Sequence, residues 1–292
     1  MEIFNKSLLK KLYIPPSNSH KGQNGKLLII GGSKLFHAAS LWALKVASRI
    51  VDMVFYSSIP QNNQIVMSEK KEFRDGIIVP RNRIEDYIKE AECVLIGPGL
   101  PRKDGEQKGD DDTKTLTESL LRKYPEKKWV IDGGSLQVID PSLIPNNAIL
   151  TPHYREFQKL FNFKFHPDSI GTNFKSNSNE QISKIQKKVG EMARKHSCTI
   201  LLKGPTDTIC SKNKCVGITG GNAGMTKGGT GDVLAGLTAA LYCKNDDPFL
   251  VATSASYLNK KAGESLFKKV GYYFNASDLA DEIPRVMKEL II

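Results

Sequence analysis

The sequence contains no long hydrophobic run. No segment reaches the roughly 18 uncharged apolar residues that a membrane-spanning helix needs. The N-terminal stretch MEIFNKSLLKKLYIPPSNSHKGQNG also lacks the apolar region of a secretory signal peptide. These absences predict a cytoplasmic protein that does not act at a membrane.

Cysteine is scarce, and its spacing does not suit a metal site. The chain has 5 cysteines, an odd number, and only Cys210 and Cys215 lie close together, across CSKNKC. No second pair of cysteine or histidine residues completes a zinc site near them. The spacing favours a hairpin turn, and we assign no metal ligand here.

Positive charge is in excess but is not concentrated. The 42 Lys and Arg residues against 31 Asp and Glu residues give a net charge of +11, spread over scattered pairs such as Lys70-Lys71 and Lys187-Lys188. Scattered pairs are typical of solvated surfaces, so the composition disfavours nucleic-acid binding. A general positive excess favours small polyanions such as nucleotides.

The two most familiar nucleotide-binding motifs are absent. No Gly-Lys-Ser/Thr completes a P-loop, and the Rossmann pattern G-x-G-x-x-G does not match around Gly97 or Gly229. A nucleotide site in this chain must therefore be built in another way.

Short apolar runs alternate with helical patterns along the chain. The runs end at Gly, Pro, Ser or Thr and cover residues 26–33, 52–58, 93–100, 129–136, 147–153 and 198–204. One intervening helical face carries Ile182, Ile185, Val189, Met192 and Ala193. This alternation predicts an α/β fold with a mostly parallel central sheet and helices on both faces. Ligands of such folds bind at the carboxyl ends of the strands.

The remaining segments fit one domain over residues 1–292. Residues 101–114 and 166–181 are polar and rich in turn formers, which predicts surface loops inside that domain. Residues 206–209 and 215–218 predict an antiparallel hairpin. Three helices follow, the last with Asn275 or Ser277 as its N-cap.

Residues 220–236, GGNAGMTKGGTGDVLAG, form a glycine-rich loop before an apolar run. Backbone amides of Gly229, Thr230 and Gly231, together with a helix that starts near Val233, would form an anion site. Asp232 either caps that helix or supplies a carboxylate for chemistry.

This loop resembles the C-terminal signature of the ribokinase-like superfamily, and in particular of the ADP- or ATP-dependent (S)-NAD(P)H-hydrate dehydratases. The stretches HKGQNGKLLIIGGS, LIGPGL, TPHYREF and LLKGPTDTI precede it in the family's order, so the resemblance covers nearly the whole chain. It implies a ribokinase-like fold and a nucleotide-dependent hydro-lyase of nicotinamide cofactor repair. ADP or ATP, with Mg²⁺, would phosphorylate the ring hydroxyl of hydrated NADH or NADPH, and elimination of phosphate would restore the double bond.

The resemblance also implies roles for individual residues. Asp232 would be the catalytic base. The hydrated cofactor would contact Ala39, Gly99, His153 and Asp232. The nucleotide would contact Lys203, Gly204, Pro205, Thr206 and Asp207, with Gly229, Thr230 and Gly231 at its phosphates. Three further residues have open roles, which are Asn222 as a ribose or phosphate contact or a turn residue, Glu156 as an orienting group or a solvated helix start, and Asp132.

Three departures from the family pattern limit this transfer. After GGSKLF the family usually has a small residue followed by Gly-Ala, whereas this chain has His37-Ala38-Ala39, and the alanine in place of glycine narrows the expected pocket. The stretch from Asp132 to Leu136, DGGSL, lacks the second acidic residue of many relatives. An N-terminal epimerase domain is not present before the dehydratase motif, so we expect any epimerisation to be performed by another protein.

The resemblance implies a homo-oligomer, tetrameric or larger, and leaves the choice between ADP and ATP open. An alternative is a small-molecule kinase of the same fold, of the hydroxymethylpyrimidine or hydroxyethylthiazole kinase type, which would use the same Asp232. A non-catalytic nucleotide-binding module is a third hypothesis, which the intact Gly-Thr-Gly-Asp disfavours.

Overall fold

A computed structural model describes residues 4–68, 75–102, 107–163 and 179–292. Most of the predicted loop at 166–181 lies outside these residues, and its last three positions already belong to a helix. Residues 103–106 of the other predicted loop also lie outside them.

The described strands form one nine-stranded sheet in the order β3-β2-β1-β4-β5-β6-β7-β8-β9. Neighbours from β3 to β7 pair in parallel, and β8 and β9 complete the sheet in antiparallel pairing. The predicted mostly parallel sheet is therefore confirmed. The strands are β1 Lys26–Ile30, β2 Met53–Ser57, β3 Ile77–Ile78, β4 Cys93–Ile96, β5 Lys128–Ile131, β6 Ile149–Leu150, β7 Thr199–Leu202, β8 Asp207–Cys210 and β9 Cys215–Ile218.

Helices cover both faces of the sheet, as predicted. Successive strand residues point to opposite faces, so Leu27 and Ile29 join one core while Leu28 and Ile30 join the other. Helices α1, α8, α9 and α10 pack on the first core, and α3 to α7 pack on the second. The helices are α1 His37–Ala47, α2 Pro60–Ser68, α3 Ile84–Glu90, α4 Thr113–Lys123, α5 Gly133–Leu136, α6 Tyr154–Leu160, α7 Asn179–Lys195, α8 Thr230–Lys244, α9 Pro248–Val270 and α10 Ala276–Ile291.

The predicted hairpin is present as β8 and β9. Cys210 and Cys215 lie directly opposite each other in its register and are joined by a disulfide, which the sequence analysis did not anticipate. The pair therefore closes the hairpin turn.

Helix α8 is the centre of one helical layer. It packs against α1, α9 and the sheet, and 12 of its 15 residues are buried. A helix that is apolar on all sides is stable only when it is enclosed in this way. Asn275 caps α10, as predicted, through a capping box with Asp278. Among the described helices, none is both long and apolar enough to cross a membrane.

Candidate active site

The carboxyl ends of the parallel strands meet at one edge of the sheet. The Gly32 amide donates to the Pro98 carbonyl at 2.8 Å, which joins the turns after β1 and β4. The Asp132 amide donates to the Ile96 carbonyl at 3.0 Å, and the Lys203 amide donates to the Pro152 carbonyl at 2.8 Å. The sequence motifs that end these strands are thus brought together, as the fold class predicts.

Lys203 and Asp132 form an ion pair at the centre of this edge. The Lys203 Nζ lies 2.9 Å from Asp132 Oδ1 and 3.9 Å from Glu156 Oε2. The Thr151 hydroxyl donates to the same Asp132 oxygen at 2.8 Å. Burial alone would lower the pKa of Lys203, but the Asp132 and Glu156 carboxylates raise it above its usual value. Lys203 is therefore a fixed positive charge between carboxylates.

Asp232 lies in the first turn of α8, beside this pair. The residue keeps partial exposure to solvent, but protein atoms surround its carboxylate closely. Burial and the charge of Asp132 raise the pKa of Asp232 to about 7, while Lys203 opposes the rise. A carboxyl group with a pKa near neutrality is suited to accept a proton from a substrate hydroxyl.

The alternative interpretation of Asp232 as the cap of its helix is wrong. Helix α8 begins at Thr230 and not near Val233, and its N-cap is Gly229. The Thr230 hydroxyl instead donates to the Met225 and Lys227 carbonyls, at 2.6 and 2.9 Å, and ties the glycine loop to the helix start. Asp232 is therefore available for chemistry.

Gly229 sets the backbone direction in which the glycine-rich loop enters α8. Its φ of +93° is left-handed, and a Cβ there would lie 2.4 Å from the Trp42 ring and 2.8 Å from Ala276 Cβ. Only glycine tolerates both the backbone conformation and the close packing.

We expect Gly229→Ala to lower the free energy of unfolding by about 1–3 kcal/mol, because the new methyl group meets Trp42 and the left-handed backbone is strained. Gly228→Ala is the matched control, since no atom of the described residues lies within 4 Å of a Cβ there. Urea unfolding of both variants measures the difference. Equal losses in the two would contradict the packing argument.

A cleft of about 660 Å³ opens beside Lys203 and the start of α8. Its volume is in the range of pockets that bind small molecules. Eight of the predicted site residues line it: His153, Lys203, Gly204, Pro205, Asp207, Asn222, Thr230 and Gly231. The lining is completed by residues that the sequence analysis did not select: Gly220, Gly221, Ala223, Met225, Thr226, Leu234, Asn259 and Lys260.

Other predicted residues lie outside this lining. A Cβ on Gly99 would be 3.0 Å from Ala39 Cβ, so these two are neighbours, and one on Gly97 would be 1.8 Å from the Asp132 carbonyl oxygen. Asp132 therefore lies between the Gly97–Gly99 turn and Lys203 at the cleft. Ala39 and Gly99 thus lie in a region adjacent to the cleft, whereas His153, another predicted substrate residue, lines the cleft itself.

His153 and Glu156 form a capping box at the start of α6. The His153 Nδ1 accepts hydrogen bonds from the amides of Arg155 and Glu156, at 3.1 and 3.2 Å, and Glu156 Oε2 accepts from the His153 amide at 2.9 Å. Burial and the charge of Lys203 lower the pKa of His153 to about 4, so the imidazole is neutral at physiological pH. Glu156 is buried, so its interpretation as a solvated helix start is wrong.

Lys260 in α9 is a site residue that the sequence analysis missed. Its Nζ donates to the Gly204 and Pro205 carbonyls, both at 3.1 Å, and to the Gly220 carbonyl at 3.4 Å. It also lies 3.4 Å from Asp207 Oδ1. This buried ammonium joins the two walls of the cleft. The only signal for Lys260 in the sequence was a lysine in the middle of an apolar helix, and no local motif accompanies it.

Asp207 and Asn222 hold the cleft walls from within. Asp207 Oδ2 accepts from the Ser256 hydroxyl at 2.7 Å. The Asn222 Nδ2 donates to the Gly263 carbonyl at 2.7 Å. Both side chains form hydrogen bonds with α9, and these bonds hold the cleft walls in place.

No group of three or more His, Cys, Asp or Glu residues in the described ranges could hold a metal ion. The second acidic residue of relatives could not be accommodated at Gly134, because a Cβ there would lie 2.2 Å from the Leu100 carbonyl oxygen. Asp132 already faces the Lys203 ammonium.

Solved structures with the same fold include two bacterial proteins. A Bacillus subtilis ADP/ATP-dependent NAD(P)H-hydrate dehydratase, co-crystallised with ATP and Mg²⁺, has a TM-score of 0.76 and 23% identity, covering 99% of this chain and 98% of that one. An Enterococcus faecalis ribokinase-like superfamily protein has a TM-score of 0.74 and 22% identity, covering 99% and 96%. The predicted ribokinase-like fold is confirmed.

Two archaeal relatives are similar in sequence. A bifunctional NAD(P)H-hydrate repair enzyme of Methanocaldococcus jannaschii is 37% identical over 287 residues, which is 96% of this chain and 51% of the relative. The chain thus spans about half the length of that bifunctional enzyme. An ADP-dependent (S)-NAD(P)H-hydrate dehydratase of Nitrosopumilus maritimus is 32% identical over 294 residues, which covers 96% of this chain and 95% of the relative. A family model described as NAD(P)H-hydrate dehydratase matches residues 27–285, and the chain belongs to this family.

Proposed function

We propose that this protein is a nucleotide-dependent hydro-lyase that converts (S)-hydrated NADH or NADPH back to NADH or NADPH. One observation carries the proposal. In a chain of the hydrate dehydratase family, Asp232 lies at the start of α8, beside a cleft of nucleotide size, with its pKa raised to about 7. The family match favours this reaction over the small-molecule kinase alternative.

Asp232 acts as the general base of the first step. It takes the proton of the ring hydroxyl, whose oxygen attacks the terminal phosphoryl group of the nucleotide, and the shortened nucleotide leaves. The C–O bond to the phosphorylated carbon then breaks, phosphate departs, and loss of a proton from the adjacent carbon restores the double bond. Each atom of the water added to the ring is thereby removed.

The positive end of α8 and Lys203 stabilise the charge of the transferring group. The amides around Gly229, Thr230 and Gly231 start a helix that points at the cleft. A Cβ on Gly231 would lie 3.4 Å from Lys203 Nζ, so the ammonium is adjacent to this helix start. We propose that the Lys203 ammonium stabilises the negative charge of the transferring phosphoryl group and is not only a contact to the nucleotide.

The nucleotide occupies the cleft between Lys203–Asp207 and the loop before α8. ADP or ATP is the donor, together with a Mg²⁺ ion carried on its phosphates, for which Asp132 and Asp232 would be the protein carboxylates at the active centre. When bound, this ion neutralises phosphate charge during transfer. The hydrated cofactor lies against Ala39 and Gly99, in the region adjacent to the cleft, and reaches His153 at the cleft lining.

One assay tests the proposed function. Hydrated NADH or NADPH is incubated with the protein and ADP or ATP in the presence of Mg²⁺, and the absorbance of the reduced ring is followed. We expect recovery with at least one nucleotide and none when the nucleotide is omitted. Absence of recovery with both, together with phosphorylation of a hydroxymethylpyrimidine or hydroxyethylthiazole, would overturn the proposal.

The remaining expectations stay predictions. They are a cytoplasmic location, a homo-oligomer of four or more copies, and a single domain over residues 1–292. Thr206 belongs to the nucleotide segment by its position between Pro205 and Asp207, both of which line the cleft.

A further inference from the structure

Asn259 is a polar residue in the cleft with no role so far. It lies in α9 and lines the cleft, yet the residue is only 5% exposed. Its Oδ1 atom has no hydrogen-bond partner among the residues that the structure describes. A buried carboxamide normally has its hydrogen bonds satisfied, so this unpaired group points to a ligand.

Two of the residues that line the cleft with Asn259 are apolar. Leu234, one turn along α8 from the helix start, and Met225 both line the cleft with it. Met225 packs onto α9 at Gly263, one turn beyond Asn259, where a Cβ would lie 2.2 Å from its sulfur. The neighbouring Lys260 fixes this part of α9 to both cleft walls. Asn259 is therefore held in place among side chains suited to cover a flat aromatic ring.

Two sets of residues in the cleft lining differ in chemistry. The helix start at Thr230 and Gly231 and the Lys203 ammonium favour phosphate groups. Leu234, Met225 and Asn259 offer apolar surface and one carboxamide. A nucleotide likewise combines charged phosphates with an aromatic base.

A carboxamide distinguishes purine bases by its paired donor and acceptor. Adenine presents the N6 donor beside the N7 acceptor, which one Asn side chain can bind together, whereas guanine presents the two acceptors O6 and N7. We propose that Asn259 recognises the adenine base of the nucleotide and makes the enzyme select adenine over guanine nucleotides. This proposal rests on the nucleotide dependence proposed above and adds the residue that reads the base.

Isothermal titration of the wild type and Asn259→Leu with ADP and GDP tests the proposal. The wild type should bind ADP more tightly than GDP by about fivefold to a hundredfold, the range of one bidentate base contact. Asn259→Leu should bind both with equal affinity, because leucine removes the amide at nearly constant volume. Pyrophosphate has no base, so its affinity should be the same in both proteins.

Asn245→Leu is the matched control. Asn245 is another buried carboxamide, near the far end of α8, and it bonds to the Tyr13 amide and the Leu241 carbonyl. This variant should keep the preference for ADP. If the leucine at position 259 prevents folding, Asn259→Ala provides the same comparison.

The outcomes separate this inference from the proposed function. A preference for ADP that survives in the Asn259 variants would overturn the role of Asn259. Equal binding of ADP and GDP by the wild type would also overturn it, while leaving nucleotide dependence intact. A wild type that binds neither nucleotide would remove the proposed function as well.

Discussion

Turnover falls by at least about 100-fold when Asp232 is replaced by asparagine, because the amide cannot accept the proton of the attacking hydroxyl. The substitution preserves size and leaves the glycine loop in place, since the loop is held by the Thr230 hydroxyl and not by Asp232. Nucleotide affinity should therefore change little. Steady-state rates of ring recovery and titration with ADP measure the two effects separately.

Asp278→Asn is a matched control for this substitution. Asp278 lies in the first turn of α10, as Asp232 does in α8, but its carboxylate forms the capping box with Asn275. Loss of that carboxylate should reduce stability and leave turnover nearly unchanged. Near-normal turnover in Asp232→Asn would show that Asp232 is not the base.

Lys203→Met should lower both stability and activity. The substitution leaves Asp132 and Glu156 as buried carboxylates without their cation, and breaking such a pair costs about 3–5 kcal/mol of unfolding free energy. Turnover should fall by about 100-fold at pH 7, because a charge that acts on the reacting group is removed. Urea unfolding and the recovery assay measure these two losses.

The pH dependence gives this prediction a second readout. Turnover of the wild type should rise with pH and reach half its maximum near pH 7, where Asp232 loses its proton. The positive charge of Lys203 lowers the pKa of Asp232, so without it the pKa rises and the midpoint moves to higher pH. An unchanged midpoint in Lys203→Met would contradict the coupling.

Lys128→Met is the control for loss of a lysine ion pair. Lys128 pairs with the exposed Asp246 at 2.7 Å, at the opposite edge of the sheet. Its removal should leave the pH midpoint unchanged. A similar shift in both variants would indicate a general charge effect rather than a local one.

Local patterns in the sequence were sufficient for most of the fold. The runs at 26–33 and 93–100 end in glycine turns because parallel strands must turn tightly before their helices, and these turns mark strand ends without reference to the rest of the chain. The Asn275 cap and the hairpin around Cys210 and Cys215 are also decided by residues close together in sequence. Strand β3, Ile77–Ile78, has only two residues and was missed for that reason.

The site depends on contacts between residues far apart in sequence. Lys203 and Asp132 are 71 residues apart. The prediction that Lys203 contacts the nucleotide gave no indication that Asp132 would be its ion-pair partner. Lys260 and Asn259 act through their position on the inner face of α9, which depends on how α9 packs over the cleft. A sequence motif identifies site residues such as Asp232, whereas Lys260 and Asn259 can be identified only from the way α9 packs over the cleft.

The burial of α8 has a consequence for how the protein can adapt. Its first turn carries Asp232, and its remaining turns fill the space between α1, α9 and the sheet, with Gly236 so close to α1 that a Cβ would lie 2.6 Å from the Ala43 backbone. A displacement of α8, which carries Asp232, therefore requires α1 and α9 to repack around it. Helix α8 both positions the Asp232 carboxylate and fills much of the interior. A change that weakens the packing of α8 therefore also weakens the positioning of that carboxylate.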